Sequence, residues 1–244
     1  MEGRSPRFEA GLAFHVAGEL EQVIQAWQLV YRAHLESGLV RPSPHRIHTT
    51  PLAATRNAAV LYGAIGPLTV STLTAVNDDV EAGLPLDETF GDALDMLRHD
   101  GRRLLEIGLC ADRRRVIIRS AAALFELIRH VFYFARHLDR TDVVLAVDAQ
   151  ISSHYERMFG FVPVGSEVPR SGIQSMSVTL MRCDLKSGLE TEPLHPYLAY
   201  CQERPVPDEA FEQRFDFASE RIAGSPIDAY LQERERTVIL GQAG

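Results

Sequence analysis

Apolar and polar positions along the chain alternate between strand-like and helical spacing, and together they predict a mixed α/β protein. Strand-like runs are followed by segments in which apolar residues recur three and four positions apart, as on one face of a helix. The predicted strands cover residues 7–16, 58–65, 68–76, 104–110, 143–147, 161–165 and 175–184. The predicted helices cover residues 18–34, 88–105, 121–137 and 153–159.

The order of these elements predicts how the sheet is assembled. A helix between the strand of Glu106 and the strand of Val143 implies that these two strands are parallel neighbours joined by a right-handed crossover. The remaining strands follow one another through short turns, which favours antiparallel hairpins on either side. The sequence therefore predicts a mixed sheet with a central parallel pair.

Residues 186–244 have a different character. Proline and glycine divide this part of the chain into three helical segments, which cover residues 196–203, 208–223 and 226–237. We therefore predict an α/β domain over residues 1–185 and a helical C-terminal extension over residues 186–244. The extension is expected to pack on the core or on a partner subunit of a homo-oligomer.

Composition narrows the functional class. The chain has 244 residues, of which 45% are hydrophobic and 24% are charged, and these values are those of a globular protein. No run approaches the ~20 apolar residues of a membrane span, and the first residues have no apolar signal region. The three cysteines are widely spaced, without a metal-binding pattern. We expect a cytoplasmic protein with no transmembrane segment and no metal.

Charge is unevenly distributed along the chain. The net charge of −8 argues against a nucleic-acid-binding protein. Residues 186–244 carry 11 acidic and 6 basic side chains, so they account for −5 of this total. Arginines cluster in the remainder, at positions 102, 103, 113, 114, 115 and 119. These arginines form either a basic binding site or a solvated loop.

Three segments carry a resemblance to a known family. They are LVYRAHLESGLVRPSP (29–44), LTVSTLTAVNDDVEAGLPLDETF (68–90) with GRRLLEIGLCAD (101–112), and the unit from Asp148 to Phe161 that contains YERMFGF. They resemble the N-acyl amino acid synthases, which are related to the GCN5-related N-acetyltransferases (GNAT) and similar to the acyl-homoserine lactone (autoinducer) synthases. The resemblance covers roughly residues 15–185. Two departures are the run at 148–151, where the family has Asn-Pro-Arg-His, and His154, where it has an aromatic residue.

The resemblance implies a fold, a reaction and two partners. The fold is a GNAT-like (acyl-CoA N-acyltransferase) mixed sheet with splayed central parallel strands. The reaction is transfer of a long-chain fatty acyl group from an acyl carrier protein thioester to the amino group of an amino acid. The amine attacks directly, since no nucleophilic triad is evident. No cofactor is bound permanently, and the acyl-phosphopantetheine of the carrier protein is the donor.

Candidate catalytic residues follow from the chemistry that this reaction requires. Glu106 is a carboxylate inside an apolar strand, so it is either the general base for the amine or a core acid bonded to backbone amides. Tyr155 either protonates the leaving thiolate, as the matching tyrosine does in many GNAT enzymes, or packs with a solvated hydroxyl.

Candidate acceptor-binding residues come from three other segments. Tyr31 and Arg32 lie in the helix motif of the family, and Asp79 lies in its Gly-Leu-Pro turn motif. Arg46 belongs to a polar loop, residues 41–57, which is either a connection or a lid over the substrate.

The start of the helix at residue 121 bears on the choice of donor. Enzymes of the GNAT class that use acetyl-CoA have glycines here, whose backbone amides surround the pyrophosphate. Residues 113–121 contain no glycine. A single phosphodiester of phosphopantetheine could still bind near the predicted carrier-binding residues, which are Arg113, Arg114, Arg119 and Ser120. The alternatives are a CoA-dependent acyltransferase for a small amine and a non-catalytic protein that binds a lipid or a partner.

Overall fold

The computed structural model describes residues 11–113, 120–169, 177–188 and 193–242, with side chains described except at 120, 121 and 237–242. The strands are β1 (Leu12–Val16), β2 (Ala58–Ile65), β3 (Leu68–Asn77), β4 (Leu104–Asp112), β5 (Asp142–Asp148), β6 (Val162–Pro169) and β7 (Ser177–Asp184). The helices are α1 (Leu20–Glu36), α2 (Asp87–His99), α3 (Ser120–His137), α4 (Ser152–Phe159), α5 (Pro196–Glu203), α6 (Glu209–Glu212), α7 (Ser219–Ile222) and α8 (Pro226–Gln242). Short 3₁₀ turns cover Leu52–Ala54 and Ala149–Ile151.

Seven strands form one sheet in the order β1-β2-β3-β4-β5-β7-β6. The strands β4 and β5 are parallel, as the sequence predicts, and Glu106 lies opposite Val144. The β1/β2, β5/β7 and β6/β7 pairs are antiparallel. The predicted mixed sheet with a central parallel pair is therefore confirmed, and β6 is an edge strand, as expected.

Pairing between the two parallel strands is short. It extends from Leu104 to Ile107 on β4, although β4 continues to Asp112 and β5 continues to Asp148. Just past the paired segment, Leu109 has a left-handed backbone conformation with φ of 49°. This conformation is unfavourable for a leucine, so β4 bends where its pairing with β5 stops.

The described residues form two compact units. One unit is drawn from residues 1–74, 109–123 and 213–244, and the other from residues 75–108 and 124–212. The C-terminal helices are divided between them, since α5 and α6 belong to the second unit and α7 and α8 to the first. The boundary at residue 185 between a domain and an extension stays a prediction.

Helix α1 supplies the core of the first unit. Its N-terminus carries a capping box, in which the Gln22 side chain accepts hydrogen bonds from the amides of Gly18 and Glu19. Trp27, on the buried face, donates through Nε1 to Thr74 Oγ1 at 3.1 Å. Its ring stacks on Phe217, with 5.5 Å between ring centroids. Residues close to the C-terminus therefore complete the core around α1.

An aromatic cluster forms the core of the second unit. It brings together side chains from α3, α4, α5 and the start of β6, namely Phe125, Phe132, Phe159, Phe161 and Tyr197. Gly160 ends α4, as predicted, with φ of 76°. A Cβ atom at Gly160 would lie 3.1 Å from the His195 ring, so this close approach also requires glycine.

Two predicted helices differ markedly from the structure. The helix predicted over residues 88–105 ends at His99, because Gly101 has φ of 73° and the chain turns into β4. The helix predicted over residues 208–223 consists of two four-residue helices, α6 and α7. The segment that joins them in the sequence is not helical, and its Phe215 and Phe217 side chains are buried. The first strand begins at Leu12 among the described residues, and residues 7–10 of the prediction lie outside them. Within the described parts of the chain, no helix is long and apolar enough to cross a membrane.

Candidate active site

Glu106 lies in the paired part of β4 and its side chain is buried, with 4% of the residue exposed. Its Oε2 atom accepts a hydrogen bond from the backbone amide of Leu86 at 2.8 Å. Burial raises the pKa of the carboxyl to about 8, and the nearby carboxylates of Asp87 and Asp78 act in the same direction. The hydrogen bond from Leu86 acts in the opposite direction. Glu106 can therefore exchange a proton near neutral pH.

The amide that reaches Glu106 comes from a tight turn between β3 and α2. Asp79 closes the first half of this turn, because its Oδ1 accepts the amides of Glu81 and Ala82 at 2.9 and 3.1 Å. The Gly83 amide donates to the Asp79 carbonyl at 2.8 Å. Gly83 has φ of 71°, and a Cβ there would lie 2.5 Å from Asp87 Oδ2. The Gly-Leu-Pro motif thus has a conformational reason for its glycine.

Arg98, near the end of α2, pairs with both ends of this turn. Its guanidinium donates two hydrogen bonds to Asp78, at 2.8 and 2.9 Å, and two to Asp87, at 2.8 and 2.9 Å. A further bond reaches Asp95 at 2.7 Å. Burial alone would raise the pKa of Asp87, but hydrogen bonds from Arg98 and the Leu84 amide hold it below its usual value. The hydrogen bonds from Arg98 therefore favour the charged form of Asp87 beside Glu106.

Tyr155 belongs to the same unit as Glu106 and is half-buried on α4. Its ring contacts Phe159, with 5.5 Å between centroids, and meets Phe161 edge-on at 6.3 Å. Phe159 packs in turn on Tyr197 of α5. The C-terminal helix α5 therefore supports the helix that carries Tyr155.

Three of the predicted acceptor-binding residues lie in the first unit, whereas Asp79 lies in the second. Tyr31 is buried, and its hydroxyl accepts the Ser43 amide at 2.9 Å and contacts the Ser43 carbonyl at 3.4 Å. Arg32 is exposed, and its Nε donates to the Gln28 carbonyl one turn earlier at 3.3 Å. Arg46 is exposed in a left-handed turn with φ of 52°. The contacts of Tyr31 show that it stabilises the loop at Ser43. Substrate binding by Tyr31, Arg32, Arg46 and Asp79 stays a prediction.

The predicted carrier-binding residues are only partly described. Arg113 donates through Nε to the Thr69 carbonyl at 2.8 Å, and its backbone amide donates to the Val70 carbonyl at 2.7 Å. Burial and the positive charge of Arg32 lower the pKa of Arg113. Arg114 and Arg119 lie outside the described residues. Ser120 is the first residue of α3, as the predicted phosphate site requires, and its side chain is not described.

The loop over residues 41–57 is held by α8, a contact that the sequence analysis does not predict. His45 Nε2 lies 2.6 Å from Glu233 Oε2, and His48 Nδ1 lies 3.2 Å from the Tyr230 hydroxyl. Arg234 donates to the Thr49 carbonyl at 3.0 Å. Tyr230, Glu233 and Arg234 lie within one turn of α8 from each other. This spacing is the feature of the sequence from which the contact with the loop could have been predicted.

Arg98 is a second residue of the site that the sequence alone does not single out. The pairing of Arg98 with Asp87 could have been predicted from their spacing of 11 residues. This is about three helical turns and places both side chains on one face of α2. The backbone conformation of Leu109 has no comparable signal, because leucine is ordinary in a strand.

Comparison with known proteins identifies the family and the fold. A family model described as N-acyl amino acid synthase FeeM matches residues 25–184. The solved structure of FeeM, an N-acyl amino acid synthase from uncultured soil microbes, has 16% sequence identity and a TM-score of 0.62, over 77% of this chain and 97% of that chain. No curated protein sequence matches the chain significantly.

Two acyl-homoserine lactone synthases are also similar in structure. BjaI, a CoA-dependent synthase, has 14% identity and a TM-score of 0.57, over 83% of this chain and 99% of that chain. LasI has 13% identity and a TM-score of 0.51, over 72% of this chain and 89% of that chain. At such identities, structural likeness establishes the fold, and the predicted GNAT-like α/β fold is confirmed.

Proposed function

As a member of the N-acyl amino acid synthase family, the chain is an N-acyltransferase, and we propose that it joins a long-chain fatty acyl group to the amino group of an amino acid. The donor is the thioester of acyl carrier protein, and the product is an N-acyl amino acid. We place this reaction in the cytoplasm.

The observation that carries this proposal is the state of Glu106. A primary amine is protonated at neutral pH, so an N-acyltransferase needs a base whose pKa lies near the working pH. Glu106 has this property because it is buried and lies close to two carboxylates. It also lies one residue before the point where the pairing of β4 and β5 ends. Backbone amides near that point would bind the oxyanion of the thioester.

The reaction proceeds by direct attack. Glu106, in its ionised form, takes a proton from the ammonium group, and the free amine attacks the thioester carbonyl carbon. The C–N bond forms and the C–S bond breaks, while the nitrogen releases its second proton to solvent. Tyr155 donates its hydroxyl proton to the leaving thiolate and is then reprotonated from solvent.

The sequence around the start of α3 favours carrier protein as the donor. Residues 113–121 contain no glycine, so they cannot form the glycine-rich pyrophosphate loop of CoA-dependent enzymes. Arg113, Arg114, Arg119 and Ser120 would bind the single phosphodiester of phosphopantetheine. Their positive charge also suits the acidic surface of a carrier protein.

A CoA thioester is the second candidate donor. The likeness to BjaI, which is a CoA-dependent synthase, favours it. The amine would then be a small acceptor of the same class, and the roles of Glu106 and Tyr155 would not change. The two candidates differ only in what binds at the arginines.

The acceptor is proposed from the charges of the remaining site residues. An amino acid presents a carboxylate and an ammonium group, and Arg32 and Arg46 would bind the carboxylate. Asp79, in the second unit, carries the charge that suits an ammonium group, and Tyr31 would support the loop of Arg46 through the Ser43 amide.

Product analysis tests the proposal. The chain is expressed in bacterial cells, and lipid extracts are compared by mass spectrometry with those from cells that express Glu106→Gln. New N-acyl amino acids in the first sample alone are the expected result. Purified protein is then given acyl-carrier protein and acyl-CoA separately, with mixed amino acids. Turnover only with acyl-CoA would favour the second candidate, and no turnover with either donor would overturn the proposal.

A further inference from the structure

We propose that Arg98 is a positioning residue for Glu106: it holds Asp78 and Asp87 in place, and thereby fixes the turn that donates the Leu86 amide to the Glu106 carboxyl. The catalytic meaning of this inference rests on the proposed role of Glu106 as the base. The coupling between Arg98 and Glu106 is measurable without any acyl transfer.

Arg98 bridges the two ends of the turn. Asp78 directly follows β3 and Asp87 is the first residue of α2, so one guanidinium spans the two ends of the turn. Each carboxylate receives two hydrogen bonds from Arg98, which fixes both the distance and the orientation of the pair.

Backbone contacts carry this constraint to Glu106. The Asp78 amide donates to the carbonyl of Leu104 on β4 at 3.2 Å. Asp87 Oδ2 accepts the Leu84 amide at 2.6 Å, which sets the backbone two residues before the donor to Glu106. The Leu86 amide then reaches Glu106 at 2.8 Å. The turn is thus tied to Arg98 at both ends and to Glu106 near its end.

The charge of Arg98 also bears on the ionisation of Glu106. The charged groups whose fields reach Glu106 are Asp87 and Asp78, and both make ionisation of Glu106 harder. Arg98 is bonded to both of them and places a positive charge beside them. Without that charge, two uncompensated carboxylates would face Glu106, which would then ionise only at higher pH.

Arg102 provides a matched control in the same unit. It pairs with Asp184 and lies 3.6 Å from Asp142, and its side chain is 20% exposed compared with 27% for Arg98. None of its carboxylate partners acts on the pKa of Glu106. Loss of Arg102 should therefore cost stability without changing the titration of Glu106.

The experiment measures the titration of Glu106 through protein stability. Denaturant unfolding is followed from pH 5 to pH 10 for the protein and for Glu106→Gln, and the difference between the two free energies is plotted against pH. A carboxyl with a raised folded pKa makes this difference fall as pH rises, until it levels off at that pKa. The comparison is repeated in Arg98→Gln, Arg98→Lys and Arg102→Gln backgrounds.

We expect the difference to level off near pH 8 in the protein and in the Arg102→Gln background. In the Arg98→Gln background it should level off at least one pH unit higher. Arg98→Lys keeps the charge but cannot bind both carboxylates in a bidentate way. In that background the difference should level off at an intermediate pH. The acid limb of kcat/KM should move in the same order.

An unchanged titration in Arg98→Gln would overturn the proposal. If that variant does not fold, Arg98→Lys decides, and a titration equal to that of the protein overturns the proposal. Failure of acyl transfer with every donor, together with the expected titration shifts, would instead reject the proposed function and leave the coupling of Arg98 to Glu106 established.

Discussion

The backbone amide of Leu86 and the Oε2 atom of Glu106 lie 2.8 Å apart and join the turn before α2 to the central strand β4. This contact gives a buried carboxyl one donor and leaves its other oxygen, Oε1, facing Gly108, where a Cβ would lie 3.5 Å away. A side chain at Gly108 would therefore lie in contact with the carboxyl that is proposed as the base.

Replacement of Glu106 by glutamine should abolish most acyl transfer and leave the protein folded. Glutamine keeps the shape and can still accept the Leu86 amide, but it cannot take a proton. We expect kcat to fall roughly 100- to 10,000-fold. Steady-state kinetics with acyl-carrier protein, together with circular dichroism as a check on folding, measures this. Near-normal turnover would show that Glu106 is a core acid and not the base.

Activity should increase with pH up to about the pKa of Glu106. The carboxyl must be ionised to accept a proton, and its pKa is raised to about 8, so kcat/KM should rise about tenfold per pH unit below pH 8 and level off above it. The residual activity of Glu106→Gln should lack this limb. The same limb in both proteins would assign the titration to another group, such as the amine itself.

Removal of the Tyr155 hydroxyl should slow the reaction without weakening the core. In Tyr155→Phe the ring can keep its contacts with Phe159 and Phe161. If the hydroxyl protonates the thiolate, kcat should fall by roughly 100-fold or more at unchanged unfolding free energy. Tyr200→Phe is the control, since that hydroxyl bonds to Glu126 on α3, outside the proposed chemistry. Equal effects of the two substitutions on kcat would argue against an acid role for Tyr155.

Asp142, at the start of β5, should be important for stability. It is fully buried and forms ion pairs with Arg182 and Arg102, and it also accepts the Thr141 hydroxyl. Asp142→Asn would leave the two guanidinium groups with one carboxylate less. We expect the free energy of unfolding to fall by about 3–5 kcal/mol.

A surface ion pair provides the control for Asp142. Asp139→Asn removes an 88% exposed carboxylate from its pair with Arg103, and exposed pairs contribute at most about 1 kcal/mol. Urea unfolding at pH 7 measures both variants. A cost for Asp142→Asn as small as that of Asp139→Asn would contradict the assigned role.

Local sequence patterns were sufficient to predict most of the sheet and the catalytic candidate. The β-branched run from Val143 to Val147 has little alternative to a buried strand, and Gly160 is a strong helix stop. Glu106 is conspicuous because a carboxylate in an apolar run contradicts its surroundings, and such contradictions concentrate at functional sites.

Other features depend on contacts that no local pattern contains. Leu104 and Leu105 suit a helix as well as a strand, so only the left-handed turn at Gly101 and the pairing with β5 show where α2 ends. Arg98 is an ordinary helix residue until its tertiary partners are known. The helix expected over 208–223 is broken because burial of Phe215 and Phe217 outweighs helical propensity.

The stacking of Phe217 on Trp27 has a consequence for the order of events during synthesis on the ribosome. Trp27 emerges early, whereas Phe217, together with the Phe215 amide that donates to Ala17, emerges some 190 residues later. The first unit therefore cannot complete its core until Phe217 has left the ribosome. Until then the indole of Trp27 lacks its stacking contact with Phe217.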